Sequence, residues 1–274
     1  MNMPVLVGTD GSVAADAAVR WAATEAGRRA APLHVVHAWV WPLMRVPLGP
    51  EPGMPAGAGL QAQADRTLSE AAATAEAAVP GLTVTTSLVV GAANARLVAA
   101  SHKAQLLVVG TRGFGGFGSL LLGSVSSSVV THAACSTVVV RGETQSHGPV
   151  VVGVDEAGAS RAAVEAAFAA AQRVGVGVLA VHAYRTPGPL SMLEEMAGDV
   201  MVGELREARE KYPEVQVTTH LGSQSPVHEL VEASQGAQLV VIGATGSGSF
   251  ASLGIGSTSV AVIRHAHCPV LVQR

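Results

Sequence analysis

The sequence predicts an α/β protein made of two tandem doubly wound domains, each a five-stranded parallel sheet with helices on both faces. Three observations carry that expectation. First, the chain repeats itself: PVLVGTDGS at Pro4–Ser12 returns as PVVVGVDEA at Pro149–Ala157, and LHVVHAW at Leu33–Trp39 returns as LAVHAY at Leu179–Tyr184. Second, short Val- and Leu-rich runs alternate in each copy with alanine-rich segments of helical period. Third, those runs are continuously apolar, which suits strands covered on both faces, and right-handed crossovers make such strands parallel.

In the first copy the strand-like runs are MPVLVGT, LHVVHAW, TVTTSLVV, QLLVVG and STVVVR. Helical patterns such as AADAAVRWAATEAGRRA and AQADRTLSEAAATAEAAV lie between them. The stretch VWPLMRVPLGPEPGMPAGAG, Val40 to Gly59, is rich in Pro and Gly and has no period. It reads as a long surface loop, and loops of that length are usually functional or mobile. The second copy lacks part of it, because the offset between copies is 145 residues at Asp10 and Asp155 but 133 at Gly110 and Gly243. The polar segment GETQSHG, Gly142 to Gly148, is the natural linker. It divides the chain into a domain at residues 1–145 and a second at 146–274. In the second copy SPVHELVEASQG offers Ser225 as N-cap, Pro226 as first helical residue and Gly236 as a stop.

Composition excludes several functions. With 274 residues and 49% apolar content the chain can bury an ample core. Its net charge of −3 and its scattered 17 Lys and Arg lack the electrostatic footprint of a nucleic-acid binder. An aromatic content of 3% leaves few platforms for stacking single strands. The most apolar stretch, AAVEAAFAAAQRVGVGVLAVHAY, is interrupted by Glu165, Gln172 and Arg173, so no transmembrane helix is expected. The start MNMPVLVGTDGS has no signal-peptide pattern. Cys135 and Cys268 are isolated, without a CxxC pair, and fit a reducing compartment as small apolar filler. A cytoplasmic location is expected.

The chemistry concentrates at VVGTRGFGGFGSLLLGSVSSSVV, Val108 to Val130, which runs from a strand through a glycine-rich loop into a helix. Glycines let the backbone approach a ligand closely, and a helix start offers unpaired amides to an anion. Phosphate is the natural guest, and a merely flexible βα turn is the alternative. The loop is duplicated: LVVGTRG and LLGSVS correspond to VVIGATG and GIGSTS. A strand order of 3-2-1-4-5 would set the ends of the first and fourth strands side by side, where ligands of such sheets bind. Asp10 would then stand beside Gly110, and Asp155 beside Gly243. A carboxylate there can accept hydrogen bonds from ribose hydroxyls, while the loop faces the phosphates. Asp10 also suits an Asx-turn or a helix N-cap.

The spacings Gly110-x2-Gly113-x9-Gly123-Ser124 and Gly243-x2-Gly246-x9-Gly256-Ser257 match the G-x2-G-x9-G-[S/T] pattern of ATP-binding universal stress proteins. The whole chain resembles a tandem member of that family. The resemblance implies ATP as ligand, alone or with Mg²⁺, and a regulatory role in stress response. It places Asp10 and Asp155 on the nucleoside, the backbone of Ala38 and Ala183 against adenine, and Val109 and Ile242 beneath the nucleoside. The ribose and phosphate loop would be Gly110, Gly113, Gly123, Ser124, Val125 and Ser126 in the first domain. In the second it would be Gly243, Gly246, Gly256, Ser257, Thr258 and Ser259. In single-domain relatives the last strands of two subunits often pair, and here STVVVR and CPVLVQR can satisfy that contact within one chain. A further homodimer stays open.

Only the first loop carries a cation, Arg112, where the second has Thr245. There is no GxxxxGK[ST], and neither loop has a lysine to clamp a γ-phosphate. Binding without fast hydrolysis is expected. A slow ATPase or other nucleotide-using enzyme is the alternative, and an interaction module that has lost its ligand is a third. No metal ligand set is expected: His34 and His37 fall on opposite faces of a strand, and the pair His265 and His267 beside Cys268 meets His132 and Ala134 in the first copy. His37 and His182 read as structural residues next to the adenine position.

Overall fold

A computed structural model describes residues 2–39, 59–113, 122–141, 147–155, 160–184, 190–245 and 254–274, with backbone alone for 190–194. The expected surface loop up to residue 58, most of the linker and Gly246 lie outside the described residues. The chain divides into two compact units, Met1–Cys135 and Ser136–Arg274.

The first unit holds β1 (Val5–Thr9), α1 (Val13–Arg28), β2 (Leu33–Trp39), α2 (Leu60–Ala78), β3 (Val84–Val90), α3 (Ala93–Ser101), β4 (Leu106–Gly110) and α4 (Ser124–His132). Its strands are parallel in the order β3-β2-β1-β4. The reason is visible in the burial: Val5, Val7, Leu33, Val35, Leu107 and Val108 are wholly inaccessible, as the apolar runs demand of a sheet covered on both faces. Helix α1 starts at Ser12, whose hydroxyl accepts the Ala15 amide at 3.3 Å. Its alanines Ala18, Ala22, Ala23 and Ala26 are fully buried, and their small side chains let the helix lie close to the strands.

The second unit holds β5 (Thr137–Val140), β6 (Val150–Gly153), α5 (Arg161–Val174), β7 (Val178–Ala183), α6 (Leu190–Lys211), β8 (Val217–Gly222), α7 (Pro226–Ala233), a 3₁₀ turn at Ser234–Gly236, β9 (Leu239–Gly243), α8 (Ser257–His265) and β10 (Val270–Gln273). The strands β8-β7-β6-β9-β10 are parallel in the order 3-2-1-4-5 of their copy. Strand β5 adds to β10 antiparallel, with Val139 opposite Val270. This is the pairing of STVVVR with CPVLVQR, and it makes the sheet of this unit mixed. Helix α7 begins as its sequence requires: the Ser225 hydroxyl accepts the His228 amide at 3.2 Å, and Pro226 opens the helix. Helix α5 ends at Gly175, whose φ of +70° is the left-handed conformation that glycine adopts without strain.

The duplication extends to side-chain register. From Ala18 on, every buried position of α1 recurs on α5 with the offset of 145, Ala15 falling at the buried N-cap residue Ser160, and every buried position of α2 recurs on α6 with the offset of 133. No helix among the described residues is long and apolar enough to cross a membrane.

Candidate functional site

Strands β1 and β4 pair in parallel, Val5 with Leu106 and Val7 with Val108, so their carboxyl ends emerge together. A cavity of about 440 Å³ opens at that point. Asp10, one residue beyond β1, lines it from one side. Gly110, Arg112, Gly113 and Gly123 line it from the loop after β4. Ser124, Val125 and Ser126, the first turn of α4, form the third side. Ala38 on β2 and Val109 on β4 line its apolar part. All ten first-domain residues singled out by sequence therefore meet at one opening.

The Asp10 carboxylate has a local task as well. Its Oδ1 accepts the Ser12 amide at 3.0 Å, forming an Asx-turn. The N-cap of α1 is Ser12, not Asp10, and the Ser12 hydroxyl also donates to the Arg112 carbonyl at 3.4 Å. Thr9 adds a further tie by accepting the Gly11 amide at 3.2 Å. A carboxylate has two oxygens, so the turn and a ligand contact are compatible.

The motif glycines are dictated by packing before any ligand enters. A Cβ on Gly110 would stand 2.6 Å from the Ala14 carbonyl oxygen, and one on Gly113 would run into Asp10 Oδ2. The loop is closed by the Gly123 amide, which donates to the Thr111 carbonyl at 2.8 Å. The buried Ser126 hydroxyl donates to the Gly110 carbonyl at 2.7 Å, so its single proton fixes the loop. Ser124, Val125 and Ser126, whose amides at the start of α4 have no partner within the helix, line the cavity. Arg112 is exposed at the rim.

The second unit repeats this frame. Strands β6 and β9 pair in parallel, Val152 with Val241, which brings Asp155, just past β6, to the same end as Ile242 and Gly243. Ala183 ends β7, and Gly256, Ser257, Thr258 and Ser259 form the start of α8. The Gly256 amide donates to Ala244 at 2.8 Å and the Ser259 hydroxyl to Gly243 at 2.9 Å, as their counterparts do. The surroundings of Asp155 differ: its amide donates to the Ser160 hydroxyl at 3.2 Å.

Both expected structural histidines brace the strand ends. His37 Nδ1 lies 2.8 Å from the Thr9 carbonyl, and His182 Nδ1 lies 2.9 Å from the Val154 carbonyl. His34 instead meets the Thr85 hydroxyl at 2.8 Å, and burial holds its pKa below the usual histidine value. His265 and His267 are exposed while Cys268 is buried, and burial pushes the Cys268 thiol up to about 12. Among the described residues no group of three His, Cys, Asp or Glu side chains could hold a metal.

Sequence reasoning missed the walls of the cavity, Gly8, Thr9, Ala15, Val36, Ala93 and Leu97. Val36 shares a strand face with Ala38, so the period-two alternation was the available signal for it. Nothing local in the sequence assigns Ala93 and Leu97 to the site.

Residues 1–141 and 147–274 each match the model of the universal stress protein family. A universal stress protein of Mycolicibacterium smegmatis is 36% identical over 285 residues, covering 98% of this chain and 96% of its own. Universal stress protein Rv2623 of Mycobacterium tuberculosis is 37% identical over 296 residues, covering 100% of this chain and 97% of its own. Among solved structures, a universal stress protein from Archaeoglobus fulgidus covers 99% of this chain and 96% of its own at TM-score 0.72 and 21% identity, a likeness of fold.

Proposed function

The chain belongs to the universal stress protein family, and on that premise we propose that it binds ATP in the first-unit cavity and at the matching place in the second unit. It acts as a regulatory stress-response module without fast hydrolysis. The observation that carries this reading is the convergence of Asp10, the glycine loop and the start of α4 on one cavity of about 440 Å³. That volume suits a nucleotide-sized ligand, since small-molecule pockets span roughly 300–1,000 Å³. The apolar wall of Val36, Ala38, Leu97 and Val109 is chemistry for a base. The Asp10 carboxylate is an acceptor for ribose hydroxyls. The α4 amides and Arg112 offer donors to phosphate oxygens.

Mg²⁺, where present, rides on the phosphates, because that ion keeps several waters and needs few protein ligands. Hydrolysis needs a positioned water and a charge clamp on the γ-phosphate, and Arg112 is the one cation of the first motif, Gly110 to Ser126. The same chemistry without its clamp would give at most a slow ATPase. The two cysteines, Cys268 buried and Cys135 partly so, suit a cytoplasmic protein.

Native mass spectrometry of freshly purified chain, followed by calorimetric titration with ATP, tests the reading. Retained ATP or saturable binding is the expected result, and absence of both overturns it. Steady phosphate release on the order of 1 s⁻¹ or faster would make the protein an enzyme instead.

A further inference from the structure

The two copies bury the same helix positions, yet two alanines of the first unit, Ala15 and Ala71, become Ser160 and Glu204 in the second. These two side chains meet. The Ser160 hydroxyl donates to Glu204 Oε2 at 2.9 Å, the nearer of its two acceptors, with the Asp155 carbonyl at 3.3 Å, and it accepts the Asp155 amide at 3.2 Å. Ser160 is 3% and Glu204 8% exposed. Burying a hydroxyl and a carboxylate costs free energy unless they are paired, and the first unit has buried alanines at both equivalent positions. The pair is thus not required by the packing.

What it touches is the main chain of the second-site acid. In the first unit, side chains of Thr9 and Ser12 fix the chain around Asp10. By the sequence offset of 145 the second copy has Val154 and Ala157 at the equivalent positions, and neither carries a hydroxyl. We infer that Glu204 is a positioning residue of the second nucleotide site: through the Ser160 hydroxyl it holds the backbone at Asp155 and so aims that carboxylate. Helix α6 thereby becomes part of the second site although it carries none of the motif. The inference rests on the ATP-binding reading given above.

The test uses the full chain with Gly113→Ala silencing the first site. Replacing Ser160 and Glu204 together by the alanine pair of the first unit is expected to weaken ATP binding about tenfold, the worth of one good hydrogen bond. The melting temperature should stay level or rise. Added to Asp155→Ala, the same double change should cost nothing more, because no carboxylate remains to be aimed. Glu204→Gln keeps an acceptor for the hydroxyl and should retain most of the affinity. Unchanged affinity of the alanine pair, or an equal loss in the Asp155→Ala protein, overturns the inference. Hydrogen exchange at the Asp155 amide reads the relay without nucleotide. It should quicken in the alanine-pair protein while that of Asp10 does not, and unchanged exchange overturns the relay. Absence of ATP binding in the parent chain would instead overturn the functional reading, leaving the exchange result to decide the relay.

Discussion

Asp10 gives one carboxylate oxygen to the Ser12 amide and still lines the cavity, so substitutions there separate two roles. Asp10→Ala removes both, and losing hydrogen bonds to a charged acceptor should weaken ATP at the first site by about 1.5–3 kcal/mol. Asp10→Asn keeps an acceptor for the turn but loses the charge. If the carboxylate meets the ribose, calorimetry will show Asn well below the parent chain while its melting temperature stays near normal. Equal affinity for Asn and parent would confine Asp10 to its turn. At this scale the sequence was informative where a residue type had one use. It named Ser225 and Pro226 as a helix start because Ser caps and Pro lacks an amide. Asp10 had two candidate uses in the sequence, and the structure shows the turn and a place on the cavity wall together. Ser160 and Glu204 escaped notice because each is ordinary alone, and their contact joins residues 44 apart in the chain.

Between elements, the loop glycines answer to different neighbours. A methyl group on Gly110 meets the backbone of α1 at Ala14, which cannot step aside, whereas one on Gly113 meets the Asp10 carboxylate. Gly110→Ala should therefore lower the melting temperature, while Gly113→Ala should leave the fold nearly intact and displace Asp10, abolishing ATP at the first site. Thermal unfolding and calorimetry on the two variants check this, and full ATP affinity in folded Gly113→Ala would reduce the glycine to a turn former. A second inter-element contact sets acid stability. Glu229 of α7 bonds His220 of β8 at 2.8 Å, accepts the Gln224 amide and lies near His228. The His220 hydrogen bond first, then that amide and the charges of both histidines, outweigh partial burial and hold the Glu229 pKa below its usual 4.5. A depressed carboxyl pKa contributes stability above the unfolded value and loses it as pH falls through the folded one. Glu229→Gln should flatten the stability curve below about pH 4.5; an identical acid slope would deny the pair that role. The parallel doubly wound class was readable from the alternation of runs and helices, whereas the order 3-2-1-4-5 is one of several that such a class allows. The antiparallel joining of β5 to β10 was not a matter of periodicity, since a short Val run pairs equally well in either direction.

On the scale of the whole chain, duplication supplies two frames from one pattern, and the sequence showed this because a repeat is visible without any contact. It also showed where the copies part. Arg112 lines the first cavity and stands exposed at its rim, whereas the second loop has Thr245 at the corresponding place. An arginine on the phosphates adds a charge-assisted contact, and at an exposed rim it is worth about 1 kcal/mol or less. The second acid is held by a different relay, through Ser160 and Glu204. Two ATP sites per chain with unequal affinities are predicted. The first should be tighter and more weakened by salt, because screening acts on exposed charges. Gly113→Ala and Gly246→Ala leave one site each, so titrating both at low and high salt isolates the two affinities and their salt slopes. Arg112→Thr should bring the slope of the first site down to that of the second while leaving its Asp10 contact in place. Equal slopes in the parent sites would remove Arg112 from the phosphates, and a stoichiometry of one would mean that one copy has kept the frame without the ligand.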